Sequence, residues 1–207
     1  MAIESPGLGY RAFKRALDVG VAAIALLVLA PLLASIAALI WAQDRRAPVL
    51  FRQRRTGKGG HTFQLLKFRT MVRDADAMKE QLRALSAVAW PDFRLVDDPR
   101  VSSLGRFLRR SSLDELPQLI NVLRGDMSLV GPRPTSFASD TYLAWQTGRL
   151  DYQPGLTGPW QVYGRSSLDF ADRCRLEIAF FRRPSLMREL GLLVRTIGVV
   201  FGRTGVA

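Results

Sequence analysis

The chain has 207 residues, with 30 Lys and Arg against 18 Asp and Glu, and a formal net charge of +12. This length accommodates one domain with a core plus one appendage, and the charge predicts an anionic partner: nucleic acid, an anionic membrane surface or a phosphorylated substrate. Cys174 and His61 are the only cysteine and histidine. They exclude a disulfide framework, a thiolate cluster, and Ser-His-Asp or Cys-His catalysis, so any catalysis uses carboxylates, Arg, Lys, hydroxyls or an oxygen-bound metal.

The first element is an apolar segment over residues 19–42, which contains 24 uncharged residues. As a helix it would extend about 36 Å, enough to cross a hydrocarbon core of about 30 Å. Pro31 lies near its centre, where proline kinks a helix. Both flanks are basic, which by the positive-inside rule places both ends on the cytoplasmic side. From these residues alone, a helix that enters, breaks and returns and a kinked transmembrane helix are equally open.

The next segment predicts a β-hairpin, in which strand-like residues 49–52 and 62–68 flank a Gly-rich turn at 57–60. Glycines with basic residues can cradle phosphate, but a hairpin turn is the commoner meaning of this pattern. An acidic, Pro-containing loop is predicted over 90–100. Helices are predicted over 71–88, 101–110, 137–150, 168–181 and 186–201. The last of these helices is amphipathic and suits either the core or the membrane interface.

Residues 111–134 contain the strongest candidate for chemistry. Asp114 and Glu115 precede an apolar-periodic helix, and Arg133 follows it on a Pro-Arg-Pro turn. Free backbone N–H groups at a helix N-terminus would hold Asp114 ionised and would favour a bound phosphate. An ionised Asp, a second carboxylate able to hold a cation, and an Arg are what phosphoryl transfer needs. The pattern Ser112-x-x-Glu115 also fits a capping box, which needs no function.

Residues 153–165, QPGLTGPWQVYGR, contain three glycines and two prolines and predict a rigid irregular loop. Such loops often hold binding residues on a scaffold. A structured turn without a binding role explains the same composition, so both interpretations stay open at this point.

Five motifs now occur in order: KRALDVG (14–20), KFRTM (67–71), SLDELPQL (112–119), GDMSLVGPRP (125–134) and PGLTGPWQVYGR (154–165). Together they resemble the bacterial sugar transferase family, the monotopic phosphoglycosyl transferases that start lipid-linked glycan assembly. The resemblance extends from about residue 11 to about residue 196. It is to the minimal members, which lack the additional membrane helices and accessory domain of the longer ones.

The resemblance implies an α+β, mainly α fold in two parts. Residues 1–45 would form a re-entrant helix-break-helix hairpin in the membrane, with the break at Pro31. Residues 46–207 would form a cytoplasmic helical catalytic domain with a small β-hairpin and amphipathic interfacial helices. This arrangement implies a monotopic protein of the bacterial inner membrane whose catalytic domain lies on the cytoplasmic face. A homodimer is possible.

The reaction implied by the resemblance moves a phospho-sugar from a UDP-sugar to polyprenyl (undecaprenyl) phosphate and releases UMP. It would begin the synthesis of exopolysaccharide, capsule, O-antigen or glycoprotein glycans. Asp114 would be the nucleophile that forms a covalent aspartyl-phosphosugar intermediate, and Glu115 would support Mg²⁺. The implied substrate-binding residues are Arg109, Pro132, Arg133, Gln161 and Arg165.

The chain departs from the family pattern at a few positions. Ala30 precedes Pro31 where many members have Ser, and Glu177 stands where an Asp is more usual. We expect these changes to lie at the periphery, away from the acidic pair. An alternative function is a non-catalytic, basic membrane-surface protein of a polysaccharide assembly system, and a transferase of sugar alone would release UDP. No recognised nucleic-acid-binding motif accompanies the positive charge.

Overall fold

A computed structural model describes residues 7–82, 95, 97–164 and 168–201. Within these residues the chain is mainly helical, with two small sheets, so the predicted α+β, mainly α class is confirmed. The helices are α1 (Leu8–Gln43), α2 (Ala75–Leu82), α3 (Ser103–Arg110), α4 (Gln118–Arg124), α5 (Phe170–Phe181) and α6 (Leu186–Phe201). The strands are β1 (Leu50–Thr56), β2 (Thr62–Phe68), β3 (Ser128–Val130) and β4 (Gly155–Thr157).

Helix α1 is long and apolar enough to cross a membrane by length and composition. Its middle is exposed, with Val28 at 70%. The structure continues α1 through Pro31 as one helix, so the predicted break is not confirmed. A proline removes only one backbone hydrogen bond of a helix. The Ser35 hydroxyl donates to the Pro31 carbonyl at 2.9 Å, a contact that often bends helices.

Both ends of α1 pack against the same folded body. Near its beginning, Ala22 is fully buried in a cluster with Leu119 and Val122 of α4. Near its end, Ile40 packs in a second cluster with Leu108 of α3. Many of the apolar side chains between these two contact regions are exposed.

Strands β1 and β2 form the predicted hairpin, paired antiparallel from Leu50↔Phe68 to Thr56↔Thr62. The first strand is longer than the sequence predicts. Strand β2 turns Leu65 inward, where it joins the same core cluster as Leu119. The hairpin thereby lies against α4, the helix that follows the acidic pair.

A second sheet, which the sequence analysis does not predict, pairs β3 with β4 in parallel. It joins the GDMSLVGPRP and PGLTG segments, and the N–H of Gly131 donates to Thr157 at 3.0 Å. The two chains approach so closely that a Cβ atom at Gly131 would lie 2.1 Å from the carbonyl oxygen of Gln153. Glycine is therefore required here, and the sheet fixes where the Pro-Arg-Pro turn begins.

The predicted helix over 137–150 is wrong in type, because the structure forms short 3₁₀ segments at Ser139–Thr141 and Ala144–Asp151. Side chains three residues apart share one side of a 3₁₀ helix. Gln146 and Arg149 have this spacing and are both buried. The tertiary ion pair of Arg149 with Glu177 favours this 3₁₀ arrangement over the predicted helix. Helix α2 covers part of the predicted 71–88 helix, and residues 83–94 lie outside the described residues.

Candidate active site

Asp114 and Glu115 lie in a 3₁₀ turn, Leu113–Glu115, between α3 and α4. The alternative interpretation of Ser112-x-x-Glu115 as a capping box is wrong. Ser112 adopts a left-handed conformation with φ of 55° and makes no side-chain capping bond, and the Glu115 carboxylate is directed to two cations. A left-handed conformation is uncommon for a non-glycine residue and often marks a functional site. The sharp reversal at Ser112 places Asp114 inward, where it is 7% exposed.

Glu115 is the centre of an ion-pair cluster. Lys67 on β2 donates to its Oε1 at 2.9 Å, and the guanidinium of Arg133 donates to the same oxygen at 2.6 Å. Burial opposes ionisation of Glu115, but the charges and hydrogen bonds of Arg133 and Lys67 outweigh it and hold its pKa well below the usual range. Glu115 is therefore ionised at any physiological pH.

Asp114 experiences the opposite balance. Burial raises the pKa of its carboxyl to about 6; Lys67, Arg109 and Arg133 pull it down, and Glu115 adds to the rise. The sequence prediction that a helix N-terminus holds Asp114 ionised is corrected here, because desolvation dominates. At neutral pH the ionised carboxylate is still the major form, although it is poorly solvated and the pH lies close to its pKa. A perturbed pKa of this kind is typical of a functional group in an active site.

Arg133 is held from behind by a buried pair. Its backbone N–H donates to Glu177 Oε1 at 2.9 Å, and the Arg149 guanidinium donates to Glu177 Oε2 at 2.8 Å and to the Arg133 carbonyl at 2.7 Å. Glu177 has no exposed surface. The expectation that Glu177 lies at the periphery is wrong, because it fixes the backbone of the arginine that binds Glu115.

Arg109 and Pro132 reach the site differently. Arg109 donates from Nε to the Thr70 hydroxyl at 2.9 Å. Burial lowers the pKa of Arg109, and the negative charge of the Asp114 carboxylate opposes this shift, so the guanidinium lies within electrostatic range of Asp114. Pro132 is buried, and its carbonyl accepts the Gly155 N–H at 2.9 Å. Pro132 therefore holds the turn together.

The segment predicted as an irregular loop over 153–165 is partly regular, because it contains β4 and a short π-helix, Trp160–Gly164. Gln161 donates to the Leu156 carbonyl of β4 at 3.4 Å. The ring of Trp160 contacts the site, with its centre 5.9 Å from Arg133 Cζ and 5.1 Å from Arg173 Cζ. Arg165, the other predicted contact in this loop, lies outside the described residues.

Lys67 is a site residue that the sequence analysis quotes within KFRTM without assigning it a role. It lies near the end of β2, one residue before Phe68, and points toward Glu115. A lone basic residue between the buried Leu66 and Phe68 was the available signal.

The acidic pair also bears on whether the site can hold Mg²⁺. Across the described part of the chain, no cluster of three or more His, Cys, Asp or Glu side chains could hold a metal. Mg²⁺ does not need one when one or two carboxylates and substrate phosphates supply its ligands. Adjacent Asp114 and Glu115 carboxylates fit that requirement, and Glu115 Oε2 has only a long, 3.4 Å contact with Arg133.

A family model described as bacterial sugar transferase matches residues 9–203. The chain belongs to the bacterial sugar transferase family. The match covers every element of the site, from Lys67 on β2 to Glu177 on α5. It confirms the family that the five motifs predict.

Named members of the bacterial sugar transferase family are similar over most of this chain. The exopolysaccharide production protein ExoY of Sinorhizobium fredii is 38% identical over 192 residues, which cover 90% of this chain and 84% of that protein. The UDP-glucose:undecaprenyl-phosphate glucose-1-phosphate transferase of Caulobacter vibrioides is 43% identical over 195 residues, covering 89% and 68%. The undecaprenyl-phosphate galactose phosphotransferase of Salmonella typhimurium is 38% identical over 205 residues, covering 94% and 42%.

Several relatives are longer than this chain. It spans 43% of the galactosyl transferase CpsE of Streptococcus agalactiae and 42% of the Salmonella protein. The similarity to these longer proteins therefore concerns the part that contains the acidic pair and its cations.

Proposed function

We propose that this protein transfers a sugar phosphate from a UDP-sugar to undecaprenyl phosphate and releases UMP. The observation that carries the proposal is the acidic pair: a buried Asp114 next to a Glu115 that is held ionised by Lys67 and Arg133. The names of the Caulobacter and Salmonella relatives describe transferases that use undecaprenyl phosphate. They support the reaction class and leave the sugar undetermined.

In the first step, a carboxylate oxygen of Asp114 attacks the β-phosphorus of the UDP-sugar. The bond from that phosphorus to the bridging oxygen breaks, and UMP leaves with the bonding electron pair. The sugar phosphate is then bound to Asp114 as an acyl phosphate, which divides one difficult displacement into two easier ones. Arg109 and Arg133 neutralise the phosphate oxygens around the attacked phosphorus, as guanidinium groups do well.

In the second step, a phosphate oxygen of undecaprenyl phosphate attacks the phosphorus of the acyl phosphate. The bond from phosphorus to Asp114 breaks, which restores the carboxylate and yields the lipid diphosphate sugar. Glu115, together with the substrate phosphates, would hold Mg²⁺, which when bound neutralises charge on those phosphates. Glu177 and Arg149 keep Arg133 in place throughout.

We further propose that residues 1–45 insert in the inner membrane as a re-entrant helix with its turning point at Pro31, and that residues 46–207 form the cytoplasmic domain. The two ends of α1 contact the same body. A straight transmembrane helix would place these ends on opposite sides of the membrane, and one of them would then lose its contact with the body. The basic flanks favour the cytoplasmic side for both ends. Apolar side chains of α6, such as Met187 and Val194, are exposed and suit the same interface.

The testing experiment measures nucleotide release. Purified protein in detergent receives Mg²⁺, undecaprenyl phosphate and one member of a panel of UDP-sugars, and UMP and UDP are quantified separately. We expect steady-state UMP with one or a few sugars, only when lipid is present, and none after chelation by EDTA. UDP would indicate transfer of sugar alone, and no nucleotide from any donor would favour a non-catalytic membrane-surface protein.

The covalent intermediate has its own readout. With a radiolabelled sugar and no lipid acceptor, we expect label to remain on the protein, to be released by hydroxylamine and to be absent in Asp114→Asn. Glu115→Gln serves as the comparison, because it removes the other carboxylate. Labelling of Asp114→Asn as strong as that of the wild type would contradict the assignment of the nucleophile.

A further inference from the structure

A shallow concavity lies beside the acidic pair, on the side of the β1–β2 hairpin. Three of the side chains that line it are cationic, and among the described residues that line it none is acidic. Its lining consists of Arg55, Leu65, Lys67, Gln118, Arg133 and Pro134. We call these six residues the cationic concavity. Two of its polar members, Arg55 and Gln118, have no role in the chemistry described above.

Gln118 is a polar and buried member of the concavity. It is 2% exposed, and its side-chain amide makes no hydrogen bond with the described part of the chain. Gln118 is the first residue of α4, which follows the turn of the acidic pair, and its side chain lines the concavity. Its amide is available to hydrogen-bond a ligand in the concavity.

Arg55 is held in a defined orientation at the rim. Its Nε and one terminal nitrogen donate to Gln53 Oε1 at 3.1 and 2.6 Å, and its other terminal nitrogen donates to the Ser136 hydroxyl at 2.7 Å. The backbone beside it is fixed too, since the Thr56 N–H donates to the Thr135 carbonyl at 2.9 Å. A guanidinium held this way loses little conformational entropy when it binds a phosphate.

The geometry of two successive displacements identifies the phosphate. In-line attack places the entering and leaving oxygens on opposite sides of the phosphorus. UMP therefore leaves from the side opposite Asp114, and the lipid phosphate must enter from that same side to displace Asp114. If the reaction proceeds through the aspartyl intermediate, as proposed above, one subsite serves both phosphates in turn.

We propose that the cationic concavity is this phosphate subsite, with Arg55 and Gln118 as binding residues that act beside Lys67 and Arg133. It takes the phosphate of the departing UMP and then the phosphate of undecaprenyl phosphate. The shared chemistry is a phosphate monoester, which matches a guanidinium fork and an amide donor.

The test compares Arg55→Gln with Arg54→Gln. Arg54 is the neighbouring strand residue, is exposed, and carries the same charge, so it is a matched control. UMP binding is measured by calorimetry without donor or lipid, and the KM for undecaprenyl phosphate is measured separately. We expect Arg55→Gln to weaken UMP binding and to raise this KM by a similar factor of about ten, the loss typical of one charge-assisted hydrogen bond. Arg54→Gln should change both values by less than about twofold.

Gln118→Leu tests the amide, with the unfolding temperature as a check on folding. It should weaken UMP binding and raise the KM for undecaprenyl phosphate, as Arg55→Gln does.

In the wild type, UMP should inhibit competitively against undecaprenyl phosphate. Inhibition competitive against the UDP-sugar instead, or equal behaviour of Arg55→Gln and Arg54→Gln, would overturn the shared subsite. Failure of the wild type to release UMP would count against the proposed reaction, whereas an Arg55 effect on UMP alone would assign the subsite to the nucleotide and exclude the lipid.

Discussion

Asp114 and Glu115 are neighbours in the chain, yet the protein moves their pKa values in opposite directions. Burial dominates at Asp114 and raises its pKa to about 6. At Glu115 burial is outweighed by Arg133 and Lys67, which lower the pKa. Adjacent carboxylates with diverging pKa values are typical of acids that divide two roles between them. Here Asp114 is suited to attack a phosphorus atom, and Glu115 remains ionised and binds cations.

The first prediction concerns the pH dependence of the reaction with limiting UDP-sugar. Its kcat/KM should fall below about pH 6, because Asp114 takes up a proton and loses its nucleophilic lone pair. Replacing Lys67 with Met removes a charge that lowers the Asp114 pKa, so the acid limb should move to higher pH. The donor is made limiting because a phosphate monoester such as the lipid acceptor itself titrates near pH 6.

Lys58→Met is the matched control for this profile. Lys58 is exposed in the hairpin turn, and removing its charge should leave the acid limb in place because solvent screens exposed charges. An acid limb that stays fixed or moves to lower pH in Lys67→Met would show that another group controls the profile.

A second prediction joins activity to stability at Asp114. Asn keeps the shape of Asp but is not a nucleophile, so Asp114→Asn should lower turnover by a factor on the order of 10⁴ or more. Because the pKa rises from 3.8 to about 6, the ionised carboxylate costs the folded state about 3 kcal/mol relative to the unfolded chain. This cost is full above pH 6 and disappears as pH falls toward 4.

The measurement is the unfolding temperature of both proteins in detergent at pH 8 and pH 4.5. Asp114→Asn should unfold at a higher temperature than the wild type at pH 8, and the difference should shrink at pH 4.5. Stability gained at the expense of activity is expected where a site holds an unfavourable charge. A variant that is less stable than the wild type at pH 8 would argue against desolvation as the cause of the raised pKa.

The third prediction concerns the buried pair behind Arg133. Glu177→Gln leaves the Arg149 charge buried and unpaired, which should destabilise the protein by about 3 kcal/mol or more and reduce turnover. Adding Arg149→Met should recover much of the stability but not the turnover, because Arg133 then lacks the hydrogen bond to its carbonyl. Denaturant unfolding and UMP release would be measured for both variants.

The exposed pair of Arg175 and Asp172 on α5 supplies the comparison. These side chains are 65% and 48% exposed, so Asp172→Asn should change stability by less than about 1 kcal/mol. Similar losses at both pairs, or no recovery in the double variant, would mean that Glu177 acts through packing and not through its charge.

The parts of the fold that were predicted well depend on local signals. The hairpin follows from a Gly-rich turn between two strand-like segments, and α1 follows from an uninterrupted apolar run. Asp114 and Glu115 were found because they are adjacent and precede a strong helical period. In each case the evidence lies within a few dozen residues of sequence.

The parts that were missed depend on contacts between distant residues. The parallel pairing of β3 with β4 joins segments about thirty residues apart, and strands of three residues carry too little periodicity to identify. The bond from Arg133 to Glu177 crosses 44 residues. The capping-box interpretation was wrong because the Glu115 side chain forms tertiary ion pairs with Lys67 and Arg133 and does not bind the backbone.

The last prediction concerns the path of α1 through the membrane. In a Cys174→Ala background, Gly9→Cys and Arg46→Cys place single thiols near the two ends of α1. Gly9 has open space for the new side chain. A membrane-impermeant maleimide should label both thiols in inverted membrane vesicles and neither in intact cells, because both ends contact the same body, which we propose to be cytoplasmic. Val28→Cys, in the exposed middle of the helix, should resist labelling from either side. Labelling of Gly9→Cys in intact cells would show that α1 crosses the membrane.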